Sequence, residues 1–214
     1  MTEPTVNRIS EARIPTEYGE FILGYYGNSL DNKAHLTFHM GDISGKSDVL
    51  VRVHSECLTG DIFGSRRCDC GEQLDHSLRM IAEQGCGMLI YLRQEGRGIG
   101  LLQKIHAYNL QDKGHDTVDA NLLLGHAADE RSYVLATLIL KGFNILSVRL
   151  ITNNPDKISA LESDGIEVSE RVELIDFINA DNSDYLTTKV KRMNHLLNLP
   201  DEASLPAEEA HESK

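Results

Sequence analysis

Three cysteines, Cys57, Cys68 and Cys70, fall in one short polar stretch, RVHSECLTGDIFGSRRCDCGEQ, beside His54, Glu56, Asp69 and the arginines Arg52, Arg66 and Arg67. Thiolates at close spacing suit a soft divalent metal, above all zinc, and guanidinium forks suit bidentate capture of phosphate. The pair points to metal-assisted chemistry on a phosphorylated substrate. The C-x10-C-x-C spacing is not the doubled C-x2-C of zinc ribbons and fingers. Three thiolates leave a fourth tetrahedral position, and two readings of it stay open. Water there is acidified by the ion and can attack an electron-poor carbon; His54 or His76 there closes a structural site that pins a loop.

Further along, RQEGRGIG sets Gly96, Gly98 and Gly100 around Glu95 and Arg97. Amides in such a turn can face an anion at a helix start, although the pattern is neither G-x-G-x-x-G nor a P-loop. The bland alternative is a turn whose glycines supply positive φ. Tyr108 reads from its position as a half-buried core tyrosine, Asp129 as a helix N-cap and Arg131 as a solvated first-turn residue. Thr152 and Lys157 bracket TNNPDK at the end of a strand, where α/β proteins place ligands. The chain carries no G-x-S-x-G, H-E-x-x-H or Rossmann fingerprint, so serine hydrolysis and hydride transfer have no support.

Elements must bring these residues together. Residues 18–26, 35–43 and 48–54 have strand character and predict an N-terminal β-meander or small antiparallel sheet, the third strand delivering His54, Ser55 and Glu56 to its end. Asp69 with Glu72 resembles a capping box opening a helix over 71–84. The run 86–92 predicts a buried strand, with Cys86 as a small buried hydrophobe, and the glycine-rich turn leads into a helix with Ile99, Leu102 and Ile105 on one face. Helices over 129–141 and 154–164, a strand over 146–151 and a short strand after Gly165 continue the alternation. Leu186, Val190, Met193 and Leu197 mark a last amphipathic helix before Pro200. The expected fold is therefore α/β (mixed α+β), with N-terminal antiparallel strands and then strand/helix units, as one domain over 1–199 with an acidic, disordered tail over 200–214.

The 214 residues suffice for one core, and 41% hydrophobic with 25% charged residues is ordinary for a globular chain. Five acids and one lysine in DEASLPAEEAHESK account for −4 of the net −12, leaving −8 for the body. That balance argues against nucleic acid or an anionic membrane as partner. No apolar leader or membrane-length run is present, which predicts a cytoplasmic, reducing setting where clustered cysteines bind metal or react rather than form disulfides.

Taken together and in order from about residue 48 to 168, RVHSECLTGD, RRCDCGEQL, RQEGRGIGL, DTVDAN, ADERSY and LITNNPDK resemble GTP cyclohydrolase II. The resemblance implies an enzyme that opens the guanine imidazole ring of GTP at the start of riboflavin biosynthesis. It would release formate and pyrophosphate and leave a diaminopyrimidinone ribosylamino 5′-phosphate. It also implies one zinc on Cys57, Cys68 and Cys70, a magnesium requirement and a homodimer. GTP-binding positions would be Arg52, Val53, His54, Ser55, Glu56, Gln73, Glu95, Gly96, Arg97, Thr117, Thr152 and Lys157. Asp129 matches a proton acceptor, Arg131 a nucleophile toward the α-phosphate, and Tyr108 a tyrosine of ring opening. Rival readings are a variant that retains the formyl group and a non-catalytic GTP-binding module with structural zinc. A butanone-phosphate synthase domain fused to some such enzymes is not expected in 214 residues.

Overall fold

A mixed seven-stranded sheet positions the chemistry. The computed structural model describes residues 3–175 and 177–197. In chain order these residues form β1 (Val6–Thr16), β2 (Gly19–Asn28), β3 (His35–Met40), β4 (Val49–Ser55), α1 (Leu58–Asp61), α2 (Cys70–Gln84), β5 (Gly87–Leu92) and α3 (Leu101–Gln111). There follow α4 (Thr117–Leu123), α5 (Val134–Gly142), β6 (Ser147–Ile151), α6 (Pro155–Ser163), β7 (Glu167–Val172) and α7 (Ser183–Met193). The sheet order is β1-β2-β3-β5-β4-β6-β7. β1, β2, β3 and β5 pair antiparallel, whereas β4 runs parallel to both β5 and β6, and β6 parallel to β7.

The expected N-terminal meander is thus corrected in its third strand. β4 leaves the antiparallel part and inserts between β5 and β6, because its first six residues are all buried and need cover on both faces. β1 escaped the sequence pattern because VNRISEARIPT is exposed along most of its length, as an edge strand can be.

Strand alternation splits the core and aims the site. Val49, Val51 and Val53 of β4, Met88, Ile90 and Leu92 of β5, and Val148 and Leu150 of β6 pack with α5 residues such as Ile139 and Leu140. Leu50 and Leu89 face the other way, onto Ile81 of α2. Arg52 and His54 follow Leu50 on that second face, and both are buried near the carboxyl end of β4.

Five other expectations are corrected. Asp69 makes no side-chain cap on α2, since its carboxylate is taken by Lys189 and Gln73. In α3, Leu102 and Ile105 are 65% and 46% exposed, and the buried positions are Lys104 and Ala107. Helix α5 begins at Val134, so Asp129 lies in a loop and binds Arg131 rather than capping. Cys86 is half-buried, against the edge of the core. α4 was not foreseen, and Leu197 lies beyond α7, which ends at a left-handed Asn194. The acidic tail lies outside the described residues.

Ile90 is fully buried on β5, between β3 and β4. Ile90→Ala is expected to cost about 2–5 kcal/mol. Urea unfolding should show a lower midpoint with the denaturant slope unchanged.

Candidate active site

The thiol cluster forms where β4 hands over to α1 and where α2 starts. Cys57 precedes α1, Cys70 opens α2, and the three Sγ atoms lie within 4.8 Å of one another. Cys57 and Cys68 Sγ are 3.6 Å apart, close to the roughly 3.8 Å edge of a tetrahedron of thiolates about 2.3 Å from zinc. Gly60 caps the cluster: a Cβ there would come within 2.9 Å of Cys68 Sγ and 3.2 Å of Cys57 Sγ. The donor set and this side-chain-free roof fit a metal ion. His54 is committed elsewhere, its Nε2 3.0 Å from Asp61 Oδ1, and His76 packs edge-on against Phe177. Asp61 fixes the loop, because its other oxygen accepts from Cys57 N at 2.9 Å and Tyr91 OH at 2.7 Å.

Lys104 supplies charge to the cluster. Its Nζ donates to Cys57 Sγ at 3.1 Å, Thr59 Oγ1 at 2.9 Å and Glu95 Oε1 at 2.8 Å. Glu95 is held in turn by Leu58 N at 2.7 Å. Hydrogen bonds from Cys68 and Cys70, with help from Lys104 against the cost of burial, hold the Cys57 thiol far below its ordinary value. The hydrogen bond to Cys57 then pushes Cys68 up to about 12, and Cys70 also rises because of its thiol neighbours.

A second group of charges lines the same cavity. Arg52 donates to Ile151 O at 3.0 Å and Gln73 Oε1 at 2.8 Å, and its Nε has no partner. Lys157, 5% exposed, donates to the carbonyl of Val53 at 2.7 Å. Both terminal nitrogens of Arg97 are buried without a partner. Arg131 is paired with Asp129, and Lys189 with Asp69. Among the described residues no carboxylate lies within ion-pair distance of Arg52, Arg97 or Lys157. Burial first, then Arg52, Arg131 and Lys189, push the Lys157 amine well below its ordinary value, and burial brings Arg52 down to about 10. Cations this poorly compensated are built to meet an anion.

The glycine-rich turn stands between the two groups. Gly96 and Arg97 both adopt left-handed backbone, at φ 64° and 61°, which is strained for arginine. A Cβ on Gly98 would meet the Glu130 backbone at 3.0 Å, and Glu130 N donates to Arg97 O at 3.0 Å, so this turn and the Asp129–Arg131 loop pack directly. The glycines thus serve positive φ and close packing.

Of the sequence-predicted residues, Arg52, His54, Ser55, Glu56, the three cysteines, Gln73, Glu95, Gly96, Arg97, Tyr108, Thr117, Arg131, Thr152 and Lys157 line one cavity. The Val53 side chain is instead in the core, and Asp129 sits behind Arg131. Tyr108 is at the cavity wall, beneath cations at Arg67 and Lys104 (5.1 and 5.6 Å from its ring), and burial pushes its phenol up to about 12. Lys104, Gln94, Asn121, Tyr185, Lys189 and His195 also line the cavity and were missed. A lysine among apolar positions of α3 was the available signal for Lys104.

The sequence model of the family described as GTP cyclohydrolase II matches residues 7–173. The chain belongs to the GTP cyclohydrolase II family. It is similar to the riboflavin biosynthesis protein RibBA of Bacillus cereus, with 53% identity over 197 residues, 92% of this chain and 50% of the relative. RibBA of Mycobacteroides abscessus is 54% identical over 198 residues (90% and 48%), and that of Chlamydia trachomatis 54% over 196 residues (91% and 46%). The chain spans about half the length of the curated relatives it matches. A solved two-domain 3,4-dihydroxy-2-butanone 4-phosphate synthase from A. baumannii, RibBX, covers 80% of this chain and 41% of its own, at 20% identity and a TM-score of 0.47, a likeness too low to identify a shared fold.

Since Cys68 and Cys70 hold their protons near neutrality while thiolates are the metal ligands, zinc binding should release about two protons per chain at neutral pH. Apparent zinc affinity should then rise with pH. Calorimetry in buffers of different ionisation enthalpy measures the number; no proton release would mean the cluster does not bind as thiolate.

Proposed function

We propose that this domain opens the imidazole ring of GTP and releases formate and pyrophosphate, the first step of riboflavin biosynthesis. The observation that carries the reading is one cavity lined both by a three-thiol metal cradle and by Arg52, Arg97 and Lys157, whose charged groups have no carboxylate partner among the described residues. A triphosphate supplies the missing negative charge, and a purine reaches from there toward the thiols. C8 of guanine lies between two nitrogens and is electrophilic; hydration opens the ring to a formamide, and a second hydration releases formate. Zinc held by Cys57, Cys68 and Cys70 would acidify water in its open position and polarise the carbon under attack.

The protein's own groups do the rest. Tyr108, protonated at neutral pH as any phenol is, can give a proton to a ring nitrogen as the bond to C8 breaks. Arg131 is kept charged: burial opposes its charge, but the carboxylate of Asp129 paired with it offsets this. A protonated guanidinium is no nucleophile, so water attacks the α-phosphorus as its bond to the β-phosphate oxygen breaks, and Arg131 stabilises the developing charge while pyrophosphate leaves. Asp129 is held ionised by Arg131 despite its burial, and its direct role is to fix that guanidinium. Accepting a proton would require the pair to open. Magnesium would arrive bound to the triphosphate and offset part of its charge.

A homodimer belongs to the same proposal. Its support is the outward display of Leu102 and Ile105 on α3 and Leu122 and Leu123 on the adjacent α4. A reducing, cytoplasmic setting is proposed because the thiols must stay unoxidised; no described helix is long and apolar enough to cross a membrane.

With GTP, zinc and magnesium, formate and pyrophosphate should appear one for each GTP consumed. Pyrophosphate without formate would instead mean a formyl-retaining enzyme, and neither product a binding module. Cys57→Ser should fold and make no formate. Arg131→Lys, which keeps charge but loses the planar fork, should slow pyrophosphate release about 100-fold.

A further inference from the structure

Helix α7 lies beyond the segment matched by the family, which ends at residue 173, yet it closes one side of the cavity. Lys189 is 7% exposed and donates to Asp69 Oδ1 at 2.7 Å. Asp69 is fully buried and is the one residue between Cys68 and Cys70. Its second oxygen accepts from Gln73 Nε2 at 2.6 Å, and Gln73 Oε1 accepts from Arg52 at 2.8 Å. A single buried chain of polar contacts therefore joins α7, the thiol loop and a phosphate-facing arginine. Ligand loops are fixed by such outer partners, whose loss typically weakens metal binding.

Tyr185, one turn before Lys189, takes part differently. Its ring has the Lys189 ammonium 4.4 Å from the centroid and the Arg97 guanidinium at 5.7 Å. Arg97 has no hydrogen-bond partner for either terminal nitrogen, so the aromatic face is what locates its charge on that side of the cavity. The helix itself is seated by buried Leu186 and, on its outer side, by Arg192, which pairs with Asp116 and Asp119 of the α4 start.

We propose that α7 completes the substrate site: Lys189 is a positioning residue that locks Asp69 between two thiol ligands, and Tyr185 is the platform that presents Arg97 to a phosphate of the nucleotide. This rests on the reading of the cavity as a nucleoside triphosphate site, and deepens it. Charge alone does not account for the arrangement, since Lys189 is neutralised by Asp69 whereas Arg97 is left to bind.

Three measurements on the full chain test it: zinc affinity by competition with a chromophoric chelator, binding of inorganic tripolyphosphate by calorimetry, and kcat and KM for formate release from GTP. Lys189→Met should weaken zinc binding about tenfold or more. Tyr185→Leu, which keeps bulk without a π face, should weaken tripolyphosphate binding and raise KM for GTP about threefold to thirtyfold, with a smaller change in kcat. Tyr185→Phe should recover most of that loss. Circular dichroism checks folding, and if Lys189→Met does not fold, Asp69→Asn replaces it with the same expected loss of zinc affinity. Unchanged zinc affinity in a folded variant, or equal defects in Tyr185→Leu and Tyr185→Phe, would overturn the proposal, as would a wild-type chain that binds no tripolyphosphate. Tripolyphosphate binding that weakens as described, without formate from GTP, would sink the ring-opening reading and leave the role of α7 standing.

Discussion

Buried positive charge without matching negative charge is the constraint around which the carboxyl end of this sheet is built. Among the described residues, Lys157 has the Val53 carbonyl as its hydrogen-bond acceptor, Arg52 a carbonyl and an amide side chain, and the terminal nitrogens of Arg97 no acceptor, only the Tyr185 ring beside them. Holding such groups out of water is unfavourable, and the fold tolerates it because β4, β5 and β6 bring rigid, well-packed backbone to that place. Asp129 and Asp69 each neutralise one further cation and no more. The surplus positive charge is what the proposed polyphosphate would meet, since several converging cations match such an anion.

The thiol cluster depends on the same backbone. Cys57 follows the end of β4, while Asp61 ties its amide to His54 on β4 and Tyr91 on β5, so the loop is registered to the sheet rather than free. Lys104 links the cluster to Glu95 in the glycine-rich turn, and that turn packs on the loop carrying Arg131. The two groups are thereby joined through one continuous set of contacts.

Local spacing made part of this legible. The cysteines, the RQEGRGIG turn and TNNPDK are short segments whose residue types declare their chemistry, and each falls at the end of a strand visible as an apolar run. What escaped depends on partners far away in the chain. Lys104 reaches a cysteine 47 residues off, and Lys189 an aspartate 120 residues off. No periodicity rule anticipates that α3 buries a lysine and exposes Leu102, because the reward for Lys104 is a thiolate and a carboxylate supplied by other elements. Asp129 was misread for a related reason: an acid two residues before an arginine can cap a helix or bind the arginine, and burial of the pair decided for the second. The edge strand β1 had no apolar face to betray it.

The central claim is that thiols and unpaired cations are two ends of a site for one nucleotide. Zinc-edge anomalous diffraction from crystals grown with zinc and a non-hydrolysable GTP analogue tests it most directly. The account predicts one anomalous peak bonded to Cys57, Cys68 and Cys70, the imidazole ring of guanine facing it, and the phosphates against Arg52, Arg97 and Lys157. A metal closed off by a fourth protein ligand, or phosphates bound outside this cavity, would contradict it.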